Sequence, residues 1–181
     1  MQTLATPDEL LAQLATKLQA LLKNKAIENP LMVGIHTGGV WVATQLYQQL
    51  NNTSTTSSEP IFSEPLATLD ISFYRDDFSR IGMNPKVKPS TLPPDVDDRH
   101  IILVDDVLHT GRTIRAAMNE LFDYGRPASI TLVCLIERSG RELPLQADLV
   151  GEKVSLKDGE HIKINGPEPL TFEILQNTVK G

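Results

Sequence analysis

Apolar residues recur along this chain with two alternating spacings, one helical and one extended. Leu11, Leu14, Leu18 and Leu21 mark one helical face, behind a start signal in which Thr6 caps, Pro7 opens the first turn and Glu9 closes a capping box. Residues 31–35 read as a short buried strand. After Thr37, Gly38 and Gly39 a helix is predicted from about residue 40 to 50, with Val40, Ala43, Tyr47 and Leu50 on one face and Trp41 as packing. Leu69, Ile71 and Phe73 alternate with Asp70 and Ser72, as in a half-buried strand. Residues 101–104 form the next strand, and Ile114, Ala117, Met118 and Leu121 stripe a helix that Gly125 and Pro127 end. The strongly apolar run 130–136 suits the interior of a parallel sheet. Ile162 and Ile164, then Phe172 and Ile174, predict short strands in a terminal appendage. Strand alternating with helix is the pattern of an α/β domain.

Two stretches break the pattern. Residues 51–60, NNTSTTSSEP, carry no apolar period and are expected to form an exposed, mobile loop. Residues 74–99 hold Pro85, Pro89, Pro93 and Pro94 and little periodicity; a loop of that length in a compact domain is expected to be functional and mobile. No internal repeat is present, and 181 residues suit a single domain spanning 1–181.

Composition narrows the function classes. A net charge of -6 argues against a non-specific nucleic-acid binder, though it leaves room for a local basic patch. No apolar run approaches the length of a membrane span, and the start lacks a basic segment followed by an apolar core. The single cysteine, Cys134, lies inside the apolar run 130–136 and reads as a buried thiol in a reducing compartment, so the cytoplasm is the expected location.

The chemistry concentrates in residues 101–113, IILVDDVLHTGRT. Asp105 and Asp106 fall at the carboxyl end of a strand, the edge where open α/β sheets bind ligands. Thr110, Gly111, Arg112 and Thr113 follow at the start of a helix, where backbone N–H groups, the helix dipole and two hydroxyls make a phosphate cradle. Carboxylates accept hydrogen bonds from vicinal sugar hydroxyls, so a ribose 5′-phosphate would engage both parts at once. From the residues alone, the two acids could equally cap the strand or hold a divalent ion. Likewise Thr37, Gly38 and Gly39 could be an ordinary tight turn.

IILVDDVLHTGRTIRAAMNEL resembles the PRPP signature of type I phosphoribosyltransferases. With TLDISFYRDDFSR, GRPASITL and RSGRELPLQADLVG in matching order, the region from about Met32 to Val154 resembles the pyrimidine operon attenuator/uracil phosphoribosyltransferase family. The resemblance implies the type I phosphoribosyltransferase fold: a central, mostly parallel sheet flanked by helices, with a small hood from the terminal segments and a long flexible loop. It implies transfer of phosphoribose from PRPP to uracil, giving UMP and diphosphate, with Mg²⁺ carried by the substrate's pyrophosphate. It also implies binding of pyrimidine-operon leader RNA under control of uridine nucleotide, and a homodimer or higher assembly.

Position by position, the resemblance implies that Asp105 and Asp106 hold the ribose hydroxyls. Thr110, Gly111, Arg112 and Thr113 would hold the 5′-phosphate, Val107, Leu108 and His109 would complete the PRPP-binding segment with His109 over the base or ribose, and Thr37, Gly38 and Gly39 would receive the pyrophosphate. Arg75 begins the loop that would close over PRPP and stabilise the departing pyrophosphate, unless it pairs with Asp76 or Asp77 on the surface. Arg138 and Arg141, on the same ligand-bearing edge after the apolar strand, could contact base, nucleotide or RNA, or form a solvated pair. The chain departs from the family's usual residues at His109, where tyrosine is commoner, at His36 and Gly38, where basic residues are frequent, and at Gln146, where many relatives carry arginine. Other readings are a nucleotide-sensing RNA regulator with little catalysis, or a salvage enzyme for another base.

Overall fold

The computed structural model describes residues 4–53, 60–71, 90–157 and 159–176. Its centre is a five-stranded, wholly parallel sheet in the order β2-β1-β3-β4-β5, built from β1 (Leu31–Ile35), β2 (Ala67–Leu69), β3 (His100–Leu108), β4 (Ser129–Arg138) and β5 (Leu149–Val154). The helices α1 (Pro7–Asn24) and α2 (Gly38–Thr53) cover one face and α3 (Arg112–Asp123) the other. Residues along β3 divide between the two layers: Ile102 and Val104 face α1 and α2, whereas Ile101 and Leu103 face α3. A separate antiparallel hairpin, β6 (Glu160–Asn165) and β7 (Thr171–Gln176), follows β5. Ile162, Ile164 and Leu170 attach it to the α1/α2 layer, which also takes in Trp41.

Helix α1 starts as its residues dictate. Thr6 Oγ1 accepts from Glu9 N–H at 3.3 Å, and Glu9 Oε2 accepts from Thr6 N–H at 2.8 Å. Its buried face is Leu10, Leu11, Leu14, Leu18 and Leu22, not Leu21. Eleven residues of about 100° each bring position 22 back over Leu11, which leaves Leu21 on the flank. Each fully buried leucine contributes about 2 kcal/mol, so this row anchors the helix.

Helix α2 starts two residues earlier than the apolar pattern predicts and continues through residues 51–53, where a loop was expected; 54–59 lie outside the described residues. Its buried side is Val42, Ala43, Leu46 and Leu50, with Val40 and Tyr47 on the margin. Of the alternation expected from 69 to 73, only 69–71 lie within the described residues, and it does not hold there. Leu69, Asp70 and Ile71 are all buried under a cover at this edge of the sheet. That cover includes the tail of the long loop, 90–99: Val96 is fully buried, and Thr91 N–H donates to the Thr68 carbonyl at 2.8 Å. Strand β3 runs four residues beyond the predicted end at 104, since Asp105, Val107 and Leu108 pair in register with Cys134, Ile136 and Glu137.

Candidate functional site: the carboxyl edge of the sheet

Parallel strands deliver their following loops to one edge, and three of those loops meet here. The loop after β1 enters α2 at Gly38 and lies against the two acids of β3. A Cβ on Gly38 would fall 2.0 Å from Asp106 Oδ2, and one on Gly39 would fall 2.7 Å from the Val104 carbonyl oxygen and 3.0 Å from Asp105 Cα. Only glycine permits that approach. The two carboxylates differ in setting: Asp105 is buried, while Asp106 is partly open. Each accepts from the next backbone N–H, Asp105 Oδ1 from Asp106 at 3.0 Å and Asp106 Oδ1 from Val107 at 2.9 Å.

Beyond Leu108 the chain turns through Gly111, whose φ of +92° belongs to the left-handed region, and enters α3 at Arg112. The cap residue offers no side-chain hydrogen bond, and Thr110 Oγ1 accepts from Arg112 N–H at 3.2 Å. Neither α2 nor α3 has an acid in its first turn, in contrast to Asp8 and Glu9 in α1. The N-terminal dipoles of α2 and α3 are therefore not offset by their own side chains, and both suit an anion.

The third loop, 139–143, follows β4 and docks on the turn that leads into α3. Glu142 and Leu143 N–H groups both donate to the Thr110 carbonyl at 3.0 Å, and Arg112 Nε pairs with Glu142 Oε2 at 2.8 Å. Arg141 donates to the His109 carbonyl oxygen and to Glu137 Oε1, the latter at 2.8 Å; Glu137 also faces Lys153. The His109 ring lies over Gly140, where a Cβ would come 2.7 Å from Nε2. Burial foremost, then the Arg138 guanidinium with a smaller contribution from Arg141, lowers the His109 pKa against the opposing pull of Glu142. The imidazole is thus neutral near pH 7.

The structure therefore brings together Thr37, Gly38, Gly39, Asp105, Asp106 and the segment 107–113. Arg141 is engaged by Glu137 and His109, and Arg138 has a buried Nε with no hydrogen-bond partner among the described residues. Arg75 lies outside the described residues. The partnership of Glu142 with Thr110 and Arg112 was not foreseen. The signal was available, since adjacent parallel strands ending at Leu108 and Glu137 must place 109–113 beside 138–143. Among the described residues no group of His, Cys, Asp and Glu side chains is arranged as a metal site. No helix among them is long and apolar enough to cross a membrane.

Comparison with known proteins agrees with this geometry. Residues 4–172 match the family model described as phosphoribosyl transferase domain. The chain is 57% identical over 167 residues to the bifunctional protein PyrR of Nitrosococcus oceani, covering 92% of this chain and 90% of that protein. It is 54% identical over 171 residues to the bifunctional protein PyrR of Pseudomonas aeruginosa, covering 94% and 95%. Among solved structures, it resembles a purine phosphoribosyltransferase from Pyrococcus horikoshii with a TM-score of 0.56 and 23% identity, over 81% of this chain and 82% of that one. It also resembles a hypoxanthine phosphoribosyltransferase from Trypanosoma cruzi, with a TM-score of 0.59 and 19% identity over 84% and 79%. These two structures share the fold.

Proposed function

We infer, from a chain that belongs to the phosphoribosyltransferase family and within it to the bifunctional PyrR proteins, that this protein is a pyrimidine regulator and a uracil phosphoribosyltransferase. The observation that carries the reading is the meeting of Gly38 and Gly39 with Asp105 and Asp106, beside the open N-terminus of α3. In the reaction the C1–O bond from ribose to pyrophosphate breaks as a C1–N bond to uracil forms. UMP and diphosphate leave, and the uracil N–H proton is released.

Asp105 and Asp106 accept from the ribose hydroxyls, with Asp106 the more accessible. Backbone N–H groups and hydroxyls of Thr110, Gly111, Arg112 and Thr113 receive the 5′-phosphate, at the end of the segment that runs from Val107 and Leu108 through His109. Thr37, Gly38 and Gly39, at the start of α2, receive the pyrophosphate, which Arg75 offsets as it leaves. Neutral His109 contacts the base or ribose without adding charge. Mg²⁺ enters as part of the substrate, neutralising the pyrophosphate through its oxygens and water. Arg138, with its unpartnered Nε, is the better candidate for the nucleotide or RNA, since Arg141 is already engaged.

In this reading residues 1–181 form one domain. The protein acts in the cytoplasm, where buried Cys134 stays a thiol, and it assembles as a homodimer or larger. Labelled uracil with PRPP and Mg²⁺ must yield UMP. A leader transcript must shift in a gel more strongly with UMP than without. A shift without UMP synthesis would leave a nucleotide-sensing regulator, and turnover of a purine or orotate in preference to uracil would point to another salvage substrate.

A further inference from the structure

Strand β2 is an edge of the sheet, and its last residues are tied in three directions. The Leu69 carbonyl accepts from His36 N–H at 2.9 Å, which joins β2 to the loop containing Thr37, Gly38 and Gly39. One residue on, Asp70 N–H donates to Ser90 Oγ at 3.1 Å, and Ser90 Oγ–H donates to Glu120 Oε1 at 2.9 Å. Thr68 and Thr91 close the same seam through Thr68 N–H to Thr91 Oγ1 at 2.8 Å. Glu120 projects from α3, the helix whose first residues form the phosphate turn.

The Glu120 carboxyl has no role in the reaction described above, yet it is buried, and its Oε2 has no hydrogen-bond partner among the described residues. A buried carboxyl so placed costs stability unless it is held neutral or does something else. Its surroundings favour the neutral form: burial raises its pKa foremost, Asp70 and Asp123 add to this, and the Ser90 hydroxyl opposes. A neutral carboxyl still accepts from Ser90, so the chain from α3 to Asp70 N–H persists at neutral pH.

We propose that Glu120 is a positioning residue: through Ser90 it fixes the end of β2 and, through Leu69 and His36, sets the pyrophosphate loop at its distance from the phosphate turn. Two of the three loops of the site, those after β1 and β3, are thereby held to one spacing, from behind the sheet edge. The third loop, 139–143, is fastened separately to Thr110 and Glu137, so Glu120 governs PRPP and not the base.

The proposal rests on the transferase reading and is tested on the full chain. Glu120→Ala and, independently, Ser90→Ala should raise KM for PRPP roughly fivefold, the effect of losing one ordinary hydrogen bond, with kcat and KM for uracil changed less than about twofold. Glu120→Gln, which keeps a neutral acceptor, should restore the wild-type KM. In each Ala variant the Asp70 amide should exchange with solvent several-fold faster, and in Glu120→Gln at the wild-type rate. Unchanged KM for PRPP in both Ala variants would overturn the proposal, as would Glu120→Gln failing as Glu120→Ala does. Should Glu120→Ala not fold, Ser90→Ala decides by the same readings. A wild-type chain that makes no UMP would instead sink the transferase reading. The tie would then be judged from Asp70 exchange and from PRPP affinity by calorimetry.

Discussion

Gly39 lies directly against the backbone of Val104: a Cβ there would stand 2.7 Å from the Val104 carbonyl oxygen. Its neighbour Gly38 faces a side chain instead, Asp106. The two glycines should therefore respond differently to the same change. Gly39→Ala must push α2 from β3 and is expected to cost about 1–3 kcal/mol of stability, with most of the activity lost. Gly38→Ala must displace the Asp106 carboxylate and meets Asp106 Cβ at 3.0 Å, so it should cost less stability than Gly39→Ala while KM for PRPP rises. Thermal unfolding with PRPP titration checks both; equal destabilisation would mean that the contact of Gly39 with β3 yields.

Asp106→Asn keeps the side-chain shape and the hydrogen bond from Val107 but removes the charge that a ribose hydroxyl would meet. A hydrogen bond to a charged group is worth about 1.5–3 kcal/mol, so kcat/KM should fall roughly ten- to a hundredfold with little change in folding. Steady-state kinetics at saturating uracil will show it. Retention of full activity would remove the ribose clamp from the argument.

The His109 imidazole should titrate below the ordinary 6.5, because burial and Arg138 disfavour its cation. A histidine depressed in the folded state leaves the fold binding fewer protons than the unfolded chain. Stability should accordingly fall as pH drops from about 6.5 towards the folded value. By proton NMR, Arg138→Gln should move the midpoint up and Glu142→Gln should move it down. Movement in the opposite sense would separate these charges from the ring.

Glu120 predicts the reverse pH trend. A carboxyl raised in the folded state contributes stability fully present below its ordinary 4.5 and lost as pH climbs through the folded value. The melting temperature of Glu120→Gln relative to wild type should therefore increase between about pH 4.5 and neutrality. A constant difference across that interval would show that Glu120 ionises freely.

Cys134 pairs in register with Asp105 and is fully buried, and burial, followed by the Asp105 and Asp106 carboxylates, pushes its thiol well up. Thiol reagents should leave the native protein untouched at neutral pH and label one site per chain once it unfolds. Fast labelling of the folded protein would show that this part of β4 opens.

The sequence carried the layers of the fold because each core element has a clean period. The α1 leucines, the apolar run of β4 and the stripe of α3 all form their elements, with Leu21 and Met118 at the margins of the buried faces. What escaped was decided by tertiary contact. Leu149 to Val154 joins the sheet as β5 with only one buried position, a pattern too weak to read. Asp105 and Asp106 look like the end of a strand, yet register with β4 carries the strand past them. The acids and the turn 110–113 were legible because their motif is local, and Gly38 and Gly39 only through the family resemblance; Ser90 and Glu120 were not, because thirty positions separate them.

The order of the sheet also dictates when the protein can exist. Leu31 of β1 finds its partner only at Ile101, and β2 docks on β1 alone. During synthesis the first hundred residues therefore leave the ribosome with one side of β1 unclaimed, a long-range closure that makes folding slow and exposes an apolar edge. The site is completed later still: Asp105 and Asp106 arrive with the strand that closes this side of β1, and the loop 139–143 only after β4.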